Sequence, residues 1–162
     1  MLAATIFRGP ISRRYVLTAM VGVAAAPLLA QAGEARPAMV VHRDPYCSCC
    51  EKWVAHVGAN GFEAKVVVAA DMDAVKKRLR VPGSLVSCHT AEVGGYVIEG
   101  HVPAKAIARL LREKPQAIGL AAPGMPQGSP GMEGGVAEIF DVILFGPQGE
   151  KSYGRYRGGD LV

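Results

Sequence analysis

Cys47-Ser48-Cys49-Cys50 places three thiols within four positions. Cys47 and Cys50 form a C-x-x-C pair, and Cys47 and Cys49 a C-x-C pair. Cys88-His89 offers a distant pair of sulfur and nitrogen donors. A thiolate is both the nucleophile of disulfide exchange and a ligand for soft metals. Cys49, the third thiol, has no task in a simple dithiol exchange. Soft sulfur donors select Cu(I) over harder ions, while a Cys₃His or Cys₄ set also suits Zn(II). C-x-C-C with a remote C-H is not a common zinc-finger spacing, which ranks zinc below copper. Four sulfurs exceed what one Cu(I) ion needs and could bridge several in a thiolate cluster. Three readings of the residues stay open. They are a metal site, thiol–disulfide exchange through Cys47 and Cys50, and two stabilising disulfides drawn from three possible pairings.

Other residues could add to this set. Met125 and Met132 carry soft thioethers in P-G-M-P and P-G-M-E, as further ligands or as apolar anchors of a loop. His101, in Gly100-His101-Val102-Pro103, reads as a helix-entry residue first and an outer ligand second. His42 stands near the cysteines as a candidate supporting group, and His56 reads as solvated. Tyr46 and Trp53 read as residues that shield and pack the site. Lys76-Lys77-Arg78 with Arg80 reads as a solvated helix face. No Ser/His/Asp set, phosphate loop or carboxylate pair stands out.

The elements that must position these groups follow from pattern. Ala38–His42 is a short apolar run that predicts a strand. A helix is expected from about Cys47–Cys50 to Gly58, with Cys50, Trp53, Val54 and Val57 on one face. The start of that helix favours anions, and hence thiolates, through its free N–H groups and dipole. Lys65–Ala70 predicts a second strand, rich in β-branched residues. Asp71 can cap a second helix with Met72, Val75 and Leu79 inward. Strand–helix–strand–helix is the pattern of a parallel βαβ unit. Tyr96–Glu99 predicts a third strand and Pro103–Lys114 a third helix. Residues 119–135 predict a long Gly/Pro loop that bears the two methionines. Phe140–Phe145 predicts a strand, and Lys151–Arg157 the edge strand of a terminal hairpin. The Cys88-His89 pair falls in what reads as a polar loop.

The 162 residues allow one ordinary domain and a targeting segment. The net charge of +4 invites a nucleic-acid reading. Residues 1–32, however, hold Arg8, Arg13 and Arg14 and no acidic residue. Removing those three from the 18 basic residues leaves 15 against 14 acidic ones, so the electrostatic case for nucleic acid fails. Ser12-Arg13-Arg14, an Ala-rich apolar run and Ala30-Gln31-Ala32 predict a cleavable signal peptide over 1–32. Its paired arginines resemble a twin-arginine export signal. Residues 33–37 then read as a linker and 38–162 as the mature domain, exported to the periplasm without stable membrane insertion. In that oxidising compartment cysteines form disulfides or bind metal.

Several segments together resemble the CopG-like periplasmic metal-binding family. They are Asp44-Pro45-Tyr46-Cys47-Ser48-Cys49-Cys50, Ser87-Cys88-His89-Thr90, Gly100-His101-Val102-Pro103, and the two Gly-Met segments spanning Pro123 to Glu133. The resemblance covers about residues 38–157. It implies a thioredoxin-like α/β fold, with a central mixed sheet and flanking helices, and a link to copper resistance. It also implies copper-thiolate ligation by Cys47, Cys49, Cys50 and Cys88, with His89 beside them. The expected partners are copper ions and copper-handling periplasmic proteins. One departure from thioredoxins is expected: only Pro103 is a candidate for a cis-proline facing C-x-x-C. The alternative reading is a thioredoxin-like oxidoreductase that uses Cys47 and Cys50.

Overall fold

The computed structural model describes residues 36–162; the expected signal peptide and the start of the linker lie outside them. Eight strands form one mixed sheet: β1 (Ala38–Arg43), β2 (Glu63–Val68), β3 (His89–Val93), β4 (Tyr96–Gly100), β5 (Gly119–Ala122), β6 (Ile139–Gly146), β7 (Gly149–Arg157) and β8 (Asp160–Leu161). Three helices connect them: α1 (Ser48–Ala59), α2 (Met72–Arg78) and α3 (Ala104–Glu113). The sheet order is β2-β1-β3-β4-β5-β6-β7-β8. Among the described residues, no helix is long and apolar enough to cross a membrane.

The register explains where a site forms. β1 pairs parallel to β2 and antiparallel to β3. β3 pairs antiparallel to β4, and β4 parallel to β5. Strands β1, β4 and β5 therefore run in one direction, and their carboxyl ends share one edge with the start of β3. Open α/β sheets bind ligands beyond such carboxyl ends, where helix N-termini also point. The segment after β1 carries Cys47, Cys49 and Cys50. The segment before β3 carries Cys88, His101 follows β4, and the Gly/Pro loop follows β5.

Alternation along the strands sends successive side chains to opposite faces. The larger core includes Met39, Val41, Ala91, Ile98 and Leu120 beneath Trp53, Val57, Ile107 and Leu110 of α1 and α3. On the other face Val97, Ala121 and Phe145 meet Leu79 and Leu85. Each fully buried large aliphatic side chain contributes roughly 1.5–3 kcal/mol.

Several expectations change here. His89 does not sit in a polar loop: it opens β3, a central strand, and is fully buried. Residues 119–122 are a buried strand, so the Gly/Pro loop begins at Pro123. Gly149–Arg157 is not the sheet edge, because β8 pairs along its end. Met72 and Val75 are only half-buried, whereas Lys76 is buried. Lys76 therefore does not belong to a solvated basic face; its ammonium lies 2.5 Å from the Glu99 carboxylate. Pro103 is the N-cap of α3, and no peptide bond among the described residues is cis.

Candidate metal centre

The first turn of α1 forms directly after the break at Asp44-Pro45. Asp44 closes that break by accepting the Tyr46 N–H at 2.8 Å. Cys47 is the N-cap of α1 and makes no capping bond of its own. Its sulfur takes no part in capping and stands beside N–H groups that have no helical acceptor. Cys50 is fully buried, one turn before Trp53.

All four cysteine sulfurs lie within 4.8 Å of one another. Cys47 and Cys50 are joined as a disulfide, with Cα atoms 5.4 Å apart. Cys49 and Cys88 carry free thiols. The Cys49 sulfur lies 3.4 Å from that of Cys47 and 3.8 Å from that of Cys88. The sequence placed Cys88 nearly forty residues from the others; the pairing of Arg43 with His89 brings it beside them.

Two histidines complete the arrangement. The Cys88 sulfur is 3.3 Å from His89 Nδ1 and 3.1 Å from His101 Nε2. His101 Nδ1 lies 2.7 Å from the Pro130 carbonyl oxygen. A carbonyl only accepts, so Nδ1 carries the proton and Nε2 presents a lone pair to Cys88. The His89 ring packs tilted against Trp53, centroids 4.3 Å apart, and edge-on to His101 at 5.0 Å. Its Nε2 is buried with no hydrogen-bond partner among the described residues. Burial holds the His89 imidazole well below its usual pKa, with His101 and Lys76 adding to the effect. Burial likewise lowers His101. Both rings are therefore neutral near pH 7, which is the form that ligates metals.

Cys88 behaves in the opposite sense to a helix-start thiol. Burial, then the neighbouring Cys49 sulfur, pushes its pKa up to about 12. Native Cys88 thus holds its proton where an unfolded thiol has lost it. Its contribution to stability is complete below the ordinary value of 9.0 and fades as pH rises toward 12. Iodoacetamide labelling of the metal-free protein, read on the Cys88 peptide by mass spectrometry, is expected to keep accelerating above pH 9. A plateau at pH 9, as in the denatured chain, would show an ordinary thiol.

The remaining residues divide clearly. Gly131 packs on the Cys49 carbonyl, the Trp53 N–H and His101, and the Ser87 hydroxyl donates to the Gly124 carbonyl. The Gly/Pro loop is therefore pinned on two sides of the cysteines. Met132 next to Gly131 is half-buried, while Met125 next to Gly124 is 56% exposed. Trp53 packs the site and donates to the Val102 carbonyl at 2.9 Å. Tyr46 shields nothing, being 93% exposed. His42 faces away, pairing with Glu92 at 3.0 Å. His56 is not solvated: its Nε2 accepts the Ala104 N–H at 3.1 Å and caps α3, whose N-cap Pro103 has no side-chain acceptor. His101, read from sequence as a helix-entry residue first and an outer ligand second, stands between β4 and α3 with Nε2 3.1 Å from the Cys88 sulfur. Its place at a strand-to-helix junction was the available signal.

A mixed α/β sheet that gathers four sulfurs and two neutral imidazoles at one end of its strands makes a donor set able to hold a metal ion. The chain belongs to the CopG family of copper resistance proteins. Two solved structures carry this likeness, copper resistance protein CopG in its forms 1 and 2. Form 1 is 47% identical, with 75% of this chain and 98% of that chain covered, at a TM-score of 0.70. Form 2 is also 47% identical, with 74% and 98% covered, at 0.70. A family model described as "Protein of unknown function, DUF411" matches residues 85–132, the stretch from Leu85 through Met132. No curated protein sequence matches the chain.

Proposed function

We propose that this protein binds Cu(I) in the periplasm as part of copper resistance, through the thiolates of Cys47, Cys49, Cys50 and Cys88. The observation that carries the reading is the four sulfurs within 4.8 Å of one another. Sulfur donors at that density suit a soft, thiophilic cation. The relatives' description as copper resistance proteins supports copper over zinc. The leader sequence supports export, and the βαβ start with C-x-x-C at the N-terminus of α1 supports a thioredoxin-like label.

The protein's own groups divide the work. Reduction of the Cys47–Cys50 bond by a dithiol returns two thiols and leaves the reductant as its disulfide. Cys47, Cys49 and Cys50 then present their sulfurs at the α1 N-terminus, where the helix dipole suits anionic ligands. Cys88 releases its proton to solvent only as a cation takes its place on sulfur, since burial opposes the bare anion. His89 and His101, held neutral by burial, stand ready to add a nitrogen donor. The Gly/Pro loop, held by His101 and Ser87, limits water at the sulfurs, and of its two methionines Met132 is the less exposed. Capacity for more than one ion follows from four bridging-competent sulfurs. Copper-handling periplasmic proteins would supply or receive the cargo.

An anaerobic Cu(I) titration of the reduced protein against a chromophoric chelator tests this. More than one tightly held Cu(I) per chain is expected, with loss on replacing Cys47 and Cys50 by Ser. Unchanged stoichiometry in that variant would sink the ligand assignment. The Cys47–Cys50 disulfide favours a second reading, thiol–disulfide oxidoreduction. That reading predicts insulin disulfide turnover with Cys49 and Cys88 dispensable.

A further inference from the structure

Behind Cys88, on the opposite face of β3 from His89, lies a buried charged network. Glu99 of β4 is fully buried, and Lys76 of α2 is 6% exposed. Glu99 Oε1 accepts the Lys76 ammonium at 2.5 Å and the Ser87 N–H at 2.6 Å. Glu99 Oε2 accepts the Thr90 hydroxyl at 2.6 Å, and Thr90 in turn accepts from Lys76 at 3.0 Å. The carboxylate thus grips both flanks of the Cys88-His89 pair, through Ser87 on one side and Thr90 on the other. Ser87 also donates to the Gly124 carbonyl, which ties the Gly/Pro loop to the same point.

A buried ion pair is weak evidence for stability, since apolar residues of similar size often serve as well or better. Its attested use is to fix a geometry. No covalent or helical constraint holds residues 86–88, which lie between a 3₁₀ turn (Gly83–Leu85) and β3. Their backbone needs a fixed acceptor if the Cys88 sulfur is to stand 3.8 Å from that of Cys49.

We propose that Glu99 is the positioning residue for Cys88, its carboxylate holding Ser87 and Thr90 so that the Cys88 sulfur faces the cysteines of α1. The proposal rests on the reading of those cysteines as one metal site. Glu99 touches no sulfur; it acts through the backbone of Ser87. Groups that orient ligands without binding the metal commonly matter about 10–100-fold in affinity.

The test separates positioning from mere packing. Changing one partner alone would strand a buried charge, so both are changed together. Lys76→Met/Glu99→Leu removes the acceptor for the Ser87 N–H. Lys76→Met/Glu99→Gln removes both charges but keeps a side-chain carbonyl for that N–H. The readout is the rate at which diamide joins Cys49 to Cys88 in metal-free protein whose Cys47–Cys50 bond is intact, followed by intact mass. The Leu variant is expected to slow this step at least about tenfold, with the Gln variant close to the native rate. Cu(I) stoichiometry of the reduced variants should follow the same order. Equal, native-like rates in both variants would overturn the proposal. Should the Leu variant not fold, Thr90→Val removes one grip at nearly constant volume, and a native rate there would overturn it equally. The crosslinking needs no copper. A native chain that takes up no Cu(I) therefore removes the metal reading, while the rate pattern still decides the role of Glu99.

Discussion

A chain that keeps its Cys47–Cys50 disulfide is expected to bind Cu(I) at least about 100-fold more weakly than the fully reduced chain. The reason is the number of donors. With the bond in place, only Cys49 and Cys88 carry free thiols. Four-ligand structural Zn(II) sites, the nearest measured scale, yield roughly 10–16 kcal/mol, or about 2.5–4 kcal/mol per ligand. Losing two donors outweighs any relief of crowding, since 1.4 kcal/mol is already about a factor of ten. Retained His89 and His101 nitrogens soften the loss, because both rings are neutral and next to Cys88. The measurement is a competition titration of two samples of one preparation, one reduced and desalted, one left oxidised. Equal affinities would mean that Cys47 and Cys50 contribute nothing to binding. The site would then reduce to Cys49, Cys88 and the two histidines.

The parts of this site that the sequence revealed are the parts governed by local pattern. Cys50, Trp53 and Val57 recur at helical spacing, and all three are buried on α1 as that spacing requires. Asp71 caps α2 by accepting the Ala74 N–H at 2.9 Å, as an aspartate before a helix should. What pattern does not reach is the pairing of distant segments. Ser87-Cys88-His89-Thr90 is polar at nearly every position, so it reads as a loop. Its second half, His89-Thr90, nevertheless opens a central strand, because Glu99 and Lys76 satisfy Thr90 on one face and Trp53 covers His89 on the other. Lys76 looks solvated beside Lys77 and Arg78 until Glu99, twenty-three residues on, is placed beneath it. The contacts of His56 and His101 escape local pattern for one reason. Each histidine completes a contact with a segment remote in sequence, the Ala104 N–H and the Pro130 carbonyl. Gly119–Ala122 lies hidden in a Gly/Pro-rich run, and only its neighbours β4 and β6 make it a strand.

Gly131→Ala is expected to destabilise the protein by roughly 2–4 kcal/mol and to lift the Gly/Pro loop from the cysteines. Two costs combine. Gly131 has φ +88, a conformation that side chains with a Cβ rarely adopt. A Cβ there would also stand 2.8 Å from the Cys49 carbonyl oxygen and 2.9 Å from the Trp53 nitrogen. Both are backbone atoms of α1, so they cannot swing aside as a side chain would. His101 Nδ1, at 3.2 Å, meets the new methyl as well. The loop must therefore move, and the bond from His101 to Pro130 is the first one it loses. His101 then loses the partner that fixes its tautomer and leaves Nε2 facing Cys88. Gly124→Ala is the control, because φ is +70 there but nothing lies within 4 Å of its Cβ. It should carry only the backbone cost of about 1 kcal/mol and leave the loop seated. Thermal unfolding measures the first difference between the two variants. Air oxidation of Cys49 and Cys88, faster in Gly131→Ala alone, measures the second. Equal melting temperatures and oxidation rates for both variants would mean that the loop does not bear on the site through Gly131.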